Sequence, residues 1–151
     1  MSNKRIYVAS PLHPIEGETF TSNMRSARLY CDIIDTHTDW STKAPHTYLP
    51  YILDDTVKDE RELALRIGVQ ILQLCEALVV CGDRISSGMK GEIYKAAVLG
   101  MDVFVANENL LDEVSAICDK FGNRVYLFEC NDSRLSMSSF TLWNRGCRKV
   151  S

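Results

Sequence analysis

One carboxylate stands out among the 151 residues. Glu92 closes the segment Ser86-Ser87-Gly88-Met89-Lys90-Gly91-Glu92, which follows an apolar run and opens a helical pattern. Counted by threes and fours, Met89, Glu92, Ala96 and Leu99 share one stripe, which sets a carboxylate on an apolar face near a helix start. The ordinary role of a glutamate there is to complement the helix dipole at the surface. A carboxylate withdrawn from water can instead bond to, or stabilise, an electron-poor carbon. Just ahead of it, the amides and hydroxyls of Ser86, Ser87, Gly88 and Met89 could hold a phosphate or ribose oxygen at the helix N-terminus. The segment carries neither the GxGxxG nor the P-loop pattern, which argues against Rossmann-type dinucleotide and Walker-type binding.

Other candidates surround this one. His46 sits between Pro45 and Thr47 and could donate a proton or touch a phosphate, against the commoner structural or exposed histidine. Tyr48 and Tyr51 could stack on a base or simply cover a sheet edge. Asp83 and Arg84, directly after the best apolar run, could pair with each other or reach a ligand. The run Asp54-Asp55-x3-Asp59-Glu60 reads as solvated acidic surface and helix-start charge, or as the source of a second acid. Six cysteines (31, 75, 81, 118, 130 and 147) form no CxxC pair, and His13, His37 and His46 are scattered. That spacing supports neither a disulfide framework nor a metal centre, so reduced, packed thiols and no metal are expected.

The elements that must position these groups follow from apolar periodicity. Short buried strands are expected at residues 6–9, 77–81, 102–106 and 125–128, with a weak edge strand from Pro45 to Leu49. Helices are expected at 23–35 with Ser22 as N-cap, at 57–74 with Leu63, Ile67, Ile71 and Leu74 on one stripe, at 88–99 and at 110–121. Gly100 and Gly122 fall just past two helices, where a left-handed residue belongs. Strand and helix alternate throughout, which implies βαβ units and a doubly wound parallel α/β sheet of order 2-1-3-4-5. In that order a crevice opens between the carboxyl ends of strands 1 and 3, at the loops 10–17 and 82–88. Residues 133–151 form a polar C-terminal segment carrying Trp143 and Asn144.

Composition narrows the class. Seventeen basic and twenty acidic residues give a net charge of −3, which speaks against nucleic-acid polymers and membrane surfaces as partners. The chain has no apolar run near the roughly 18 residues of a membrane span, and residues 1–7 are too short and polar for a signal peptide, so a cytoplasmic protein is expected.

The patterns IYVASP, AxxYC, PHTYL, CEALVVCGDRISSGMKGEIYKAAVLG and DVFVA, over about residues 4–106, resemble the nucleoside 2-deoxyribosyltransferase-like superfamily. The likeness is strongest to its small members from phage and bacterial genomes and to the deoxynucleoside 5′-monophosphate N-glycosidases. It implies a domain over residues 1–132, flavodoxin-like in topology. It also implies cleavage or transfer of the N-glycosidic bond of a nucleoside or nucleoside 5′-monophosphate, with no cofactor. Glu92 matches the glutamate that attacks the anomeric carbon, and Ser86 matches a serine that holds the phosphate. Tyr7, Ser10 and Pro11 match residues lining the pocket after strand 1, and Asn23 faces the first loop. The superfamily's aspartate for the departing base falls on Gly68 here, leaving Asp54 or Asp55 as replacements, and Glu76 stands where a structural aspartate is found. Homo-oligomers are implied, with residues 133–151 closing a neighbouring subunit's site. The alternative is a nucleotide-binding module that keeps the pocket without turnover.

Overall fold

Residues Ile6 to Ala9 are buried and pair one for one with a second apolar run, Ile6 with Ala77, Tyr7 with Leu78, Val8 with Val79 and Ala9 with Val80. This register, in a computed structural model that describes residues 4–148 with side chains through 144, is the spine of the molecule. The strands are β1 (Arg5–Ala9), β2 (Ser41–Lys43), β3 (Ala77–Val80), β4 (Asp102–Val105) and β5 (Val125–Leu127), and the helices are α1 (Phe20–His37), α2 (Lys58–Gln73), α3 (Ser87–Val98), α4 (Leu111–Cys118) and α5 (Ser139–Arg148). The sheet is all parallel in the order β2-β1-β3-β4-β5. The inner strands β1 and β3 are buried on both faces and therefore read as unbroken apolar runs.

Pleating sends alternate residues to opposite faces. Tyr7, Ala9, Leu78 and Val80 join Met89, Ile93, Ala96 and Val114 in the core beneath α3 and α4. Ile6, Val8, Ala77 and Val79 pack instead with Tyr30, Ile33 and Ile34 of α1. At the lower end, Glu76 accepts from the Arg5 backbone N–H at 2.7 Å and from its guanidinium at 3.3 Å, clamping β1 to β3. At the upper end, Gly82 turns with φ +94°, and a Cβ there would stand 3.3 Å from Pro11. Gly100 and Gly122 adopt the expected left-handed conformation.

Several expectations need correction. The edge strand is Ser41–Lys43, whereas Pro45–Thr47 and Leu49–Tyr51 are 3-10 turns. Prolines at 45 and 50 fix φ and remove donors, and Asp35 of α1 binds both the Thr42 N–H and its hydroxyl, drawing the earlier residues to β1. Helix α1 begins earlier than expected, capped by Thr19 with Ser22 as its reciprocal partner three residues into the helix. The α2 stripe is a core face only in part: Ile71 packs against the core beside buried Leu72 and Ile67 is half-buried, while Leu63 and, just past the helix, Leu74 are exposed.

The C-terminal segment folds onto its own chain. Trp143 Nε1 donates to the Ser22 carbonyl and to Ser26 Oγ, and its ring lies under the Arg25 guanidinium at 3.8 Å. Cys31, Cys75, Cys81, Cys118 and Cys130 are free thiols; the Cys147 side chain and residues 1–3 and 149–151 lie outside the described residues. Among the described residues, no helix is long and apolar enough to cross a membrane, and no cluster of potential ligands could hold a metal ion.

Candidate active site

Helix α3 starts at the carboxyl end of β3, where Ser86 accepts from the Met89 N–H at 3.2 Å as N-cap. One turn further, Glu92 turns back over β1. Its Oε2 accepts a 2.5 Å hydrogen bond from the hydroxyl of Tyr7. Tyr7 is 2% exposed, whereas Glu92 retains partial access to solvent. Burial pushes the Glu92 carboxyl up to about 7, opposed by the Tyr7 hydrogen bond. Burial and the neighbouring carboxylate push the Tyr7 phenol far up, so it stays a neutral donor. Glu92 therefore switches charge near neutral pH while one hydroxyl fixes its orientation.

Two features flank this pair. A Cβ at Gly68 of α2 would lie 3.4 Å from the Tyr7 hydroxyl oxygen, so the inner face of α2 is bare where it meets the pair. Tyr48, on the turn after β2 and two residues past the His46 that meets Ser10, adds a little to the upward push on the Tyr7 phenol, and it is 44% exposed. Neither closeness is legible in the sequence without the fold, although the alternation of β1 does place Tyr7 on the α3 face.

Ser10 Oγ lies 2.7 Å from His46 Nε2, joining the end of β1 to the turn after β2. Burial lowers the His46 pKa to about 4, which makes it a neutral ring at neutral pH rather than a proton donor. Met89 is 1% exposed and takes the Ser86 N–H on its sulfur, so it supports the loop from below. Ser87 and Gly88 are exposed at the first turn of α3.

Asn23 is separated from Glu92 by the sheet. It is 1% exposed on α1, donates to the Leu12 carbonyl and to Glu18, and accepts from Ser139 at 2.6 Å. Both its N–H donors and its side-chain oxygen are engaged inside the fold. Glu18 in turn pairs with Arg84 at 2.7 Å, and Arg84 also donates to the His13 carbonyl. Pro11 and exposed Asp83 border a small crevice beside this network, closed by Ser138 and Ser139 ahead of α5. The Arg84–Glu18 pair was missed in the sequence because the two lie 66 residues apart.

The acids considered as replacements are also engaged elsewhere. Asp54 accepts from the N–H and hydroxyl of Thr56, and Asp55 meets His13 at 2.8 Å, linking the loops after β2 and β1. Glu76 is at the opposite end of the sheet.

Residues 4–106 match the model of a family described as a domain of unknown function, DUF7768. The chain belongs to the DUF7768 family. No curated protein matches it. The matched span ends just after β4, so in this member Tyr7, Gly68 and Glu92 lie inside the family domain, whereas β5 and α5 lie beyond it.

Proposed function

We propose that this DUF7768 protein cleaves or transfers the N-glycosidic bond of a nucleoside, a deoxynucleoside or its 5′-monophosphate. The observation that carries the reading is the Tyr7–Glu92 pair, a carboxylate withdrawn from water and aimed by one neutral donor at the carboxyl end of the sheet. As C1′ becomes oxocarbenium-like, ionised Glu92 bonds to it and the base departs with the electron pair of the C1′–N bond. Water, or a second base, then attacks C1′ and frees Glu92. Tyr7 is a positioning residue: its hydrogen bond favours the carboxylate against burial. The first turn of α3 is suited to a phosphate, because Ser86 accepts the Met89 amide and keeps its own proton to donate.

The likeness to the nucleoside 2-deoxyribosyltransferase-like superfamily supports the same assignment. The reading includes a cytoplasmic setting, in keeping with the free thiols, a homo-oligomer, and no cofactor. A nucleotide-binding module without turnover is the second reading, favoured by the bare glycine at 68 beside the pair. Incubation with deoxynucleosides and their 5′-monophosphates separates the two. Free base that disappears in Glu92→Gln supports the glycosidase, and tight binding with no free base supports the module.

A further inference from the structure

Expelling an ordinary purine or pyrimidine from C1′ leaves negative charge on a ring nitrogen, so such a leaving group needs a proton from the enzyme. Among the described residues, the groups weighed as proton donors to this site are each placed otherwise. Position 68, facing the Tyr7 hydroxyl, is glycine. Asp54 is bound to Thr56 in its own loop, and Asp55 to His13 of the loop after β1. The Tyr7 proton is directed at Glu92 itself, and its phenol is held far from ionising. His46 touches Ser10 and is neutral at neutral pH. What the described residues do present is one carboxylate and, two residues past the His46 that is tied to Ser10 at the end of β1, the half-exposed ring of Tyr48.

From this geometry we infer that the substrate is an N-glycoside whose base is already cationic, such as an N-ribosyl pyridinium or an N7-alkylated purine nucleoside or nucleotide. The inference rests on the glycosidase reading and deepens it. The C1′–N bond breaks, its electron pair neutralises the ring, and a neutral heteroaromatic leaves with no proton transfer. Ionised Glu92 takes up the C1′ cation as an ester, and water then returns the sugar hydroxyl, releasing a proton to solvent. A cationic ring is also what the flanking groups would hold, through attraction to Glu92 and a cation–π contact with Tyr48.

The test compares guanosine with N7-methylguanosine, and nicotinamide riboside with uridine, each as nucleoside and as 5′-monophosphate, using the full-length protein. Free base is measured by chromatography against protein-free and Glu92→Gln controls. General-acid assistance is ordinarily worth about 10²- to 10⁴-fold, so kcat/KM for the methylated or pyridinium substrate should exceed that of its neutral counterpart by at least about 100-fold. Equal cleavage of guanosine and N7-methylguanosine would overturn the cationic-base assignment and leave the glycosidase reading standing. Binding of these ligands with no base released from any of them would overturn both. A fall of the methylated-substrate advantage in Tyr48→Ala but not in Tyr51→Ala locates the ring contact, and equal effects of the two would remove Tyr48 from it.

Discussion

At the scale of single residues, Glu92 and His46 are both held away from their usual pKa values, in opposite directions. A carboxyl raised to about 7 binds more protons folded than unfolded, so it lowers stability progressively from about pH 4.5 to 7. Glu92→Gln removes that penalty while keeping an acceptor for Tyr7. The variant should match the wild-type melting temperature near pH 4 and exceed it at pH 8, by roughly 1–3 kcal/mol at most. Thermal unfolding at the two pH values checks this, and an equal or lower melting temperature at pH 8 would contradict a buried, oriented carboxylate. His46, lowered to about 4, acts in reverse: its neutral burial costs stability as pH falls from about 6.5 to 4. His46→Gln should flatten that acid limb and leave stability above pH 7 nearly unchanged. Base release should rise with pH through about 7, since Glu92 acts ionised.

At the scale of elements, α3 is the anion-facing end of the site. Its first amides and the Ser86 proton should make a 5′-monophosphate bind more tightly than the same nucleoside, and the advantage should shrink at high salt. Calorimetric titration at two ionic strengths measures this; equal affinities would leave Ser86 and Ser87 as helix caps alone. The α1–α5 contact makes a second prediction. Trp143→Ala removes the bonds to Ser22 and Ser26 and the stack under Arg25, and should cost about 2 kcal/mol in chemical denaturation, with Trp143→Phe costing less.

The elements also mark what could be read from sequence. The strands were legible because a parallel sheet buried on both faces writes itself as apolar runs, and Glu92 because it broke an apolar stripe. The edge strand was not, since Ser41-Thr42-Lys43 has no apolar signature and is fixed by Asp35 and by pairing with β1. Helix α2 was legible only in its middle, at Ile67 and Ile71, because apolar spacing does not say how far along a face is covered. Asn23 was grouped with Glu92 on the resemblance, whereas α1 and α3, which carry the two, pack on opposite faces of the sheet. That separation is a property of topology rather than of local pattern.

At the scale of the whole molecule, the β2-β1-β3-β4-β5 order brings the ends of β1 and β3 together and so joins Tyr7 to a glutamate 85 residues away. The account stands on that carboxylate forming a bond to C1′. The most direct measurement is intact-protein mass spectrometry after incubation with 2′-fluoro-2′-deoxyarabinosyl nucleosides and their 5′-monophosphates, cationic bases included, because fluorine slows hydrolysis of a glycosyl ester. The account predicts a mass increase of one fluorinated sugar, or sugar phosphate, mapped to the peptide carrying Glu92 and absent in Glu92→Gln. Base release that continues undiminished in Glu92→Gln, or an adduct on another residue, would contradict it.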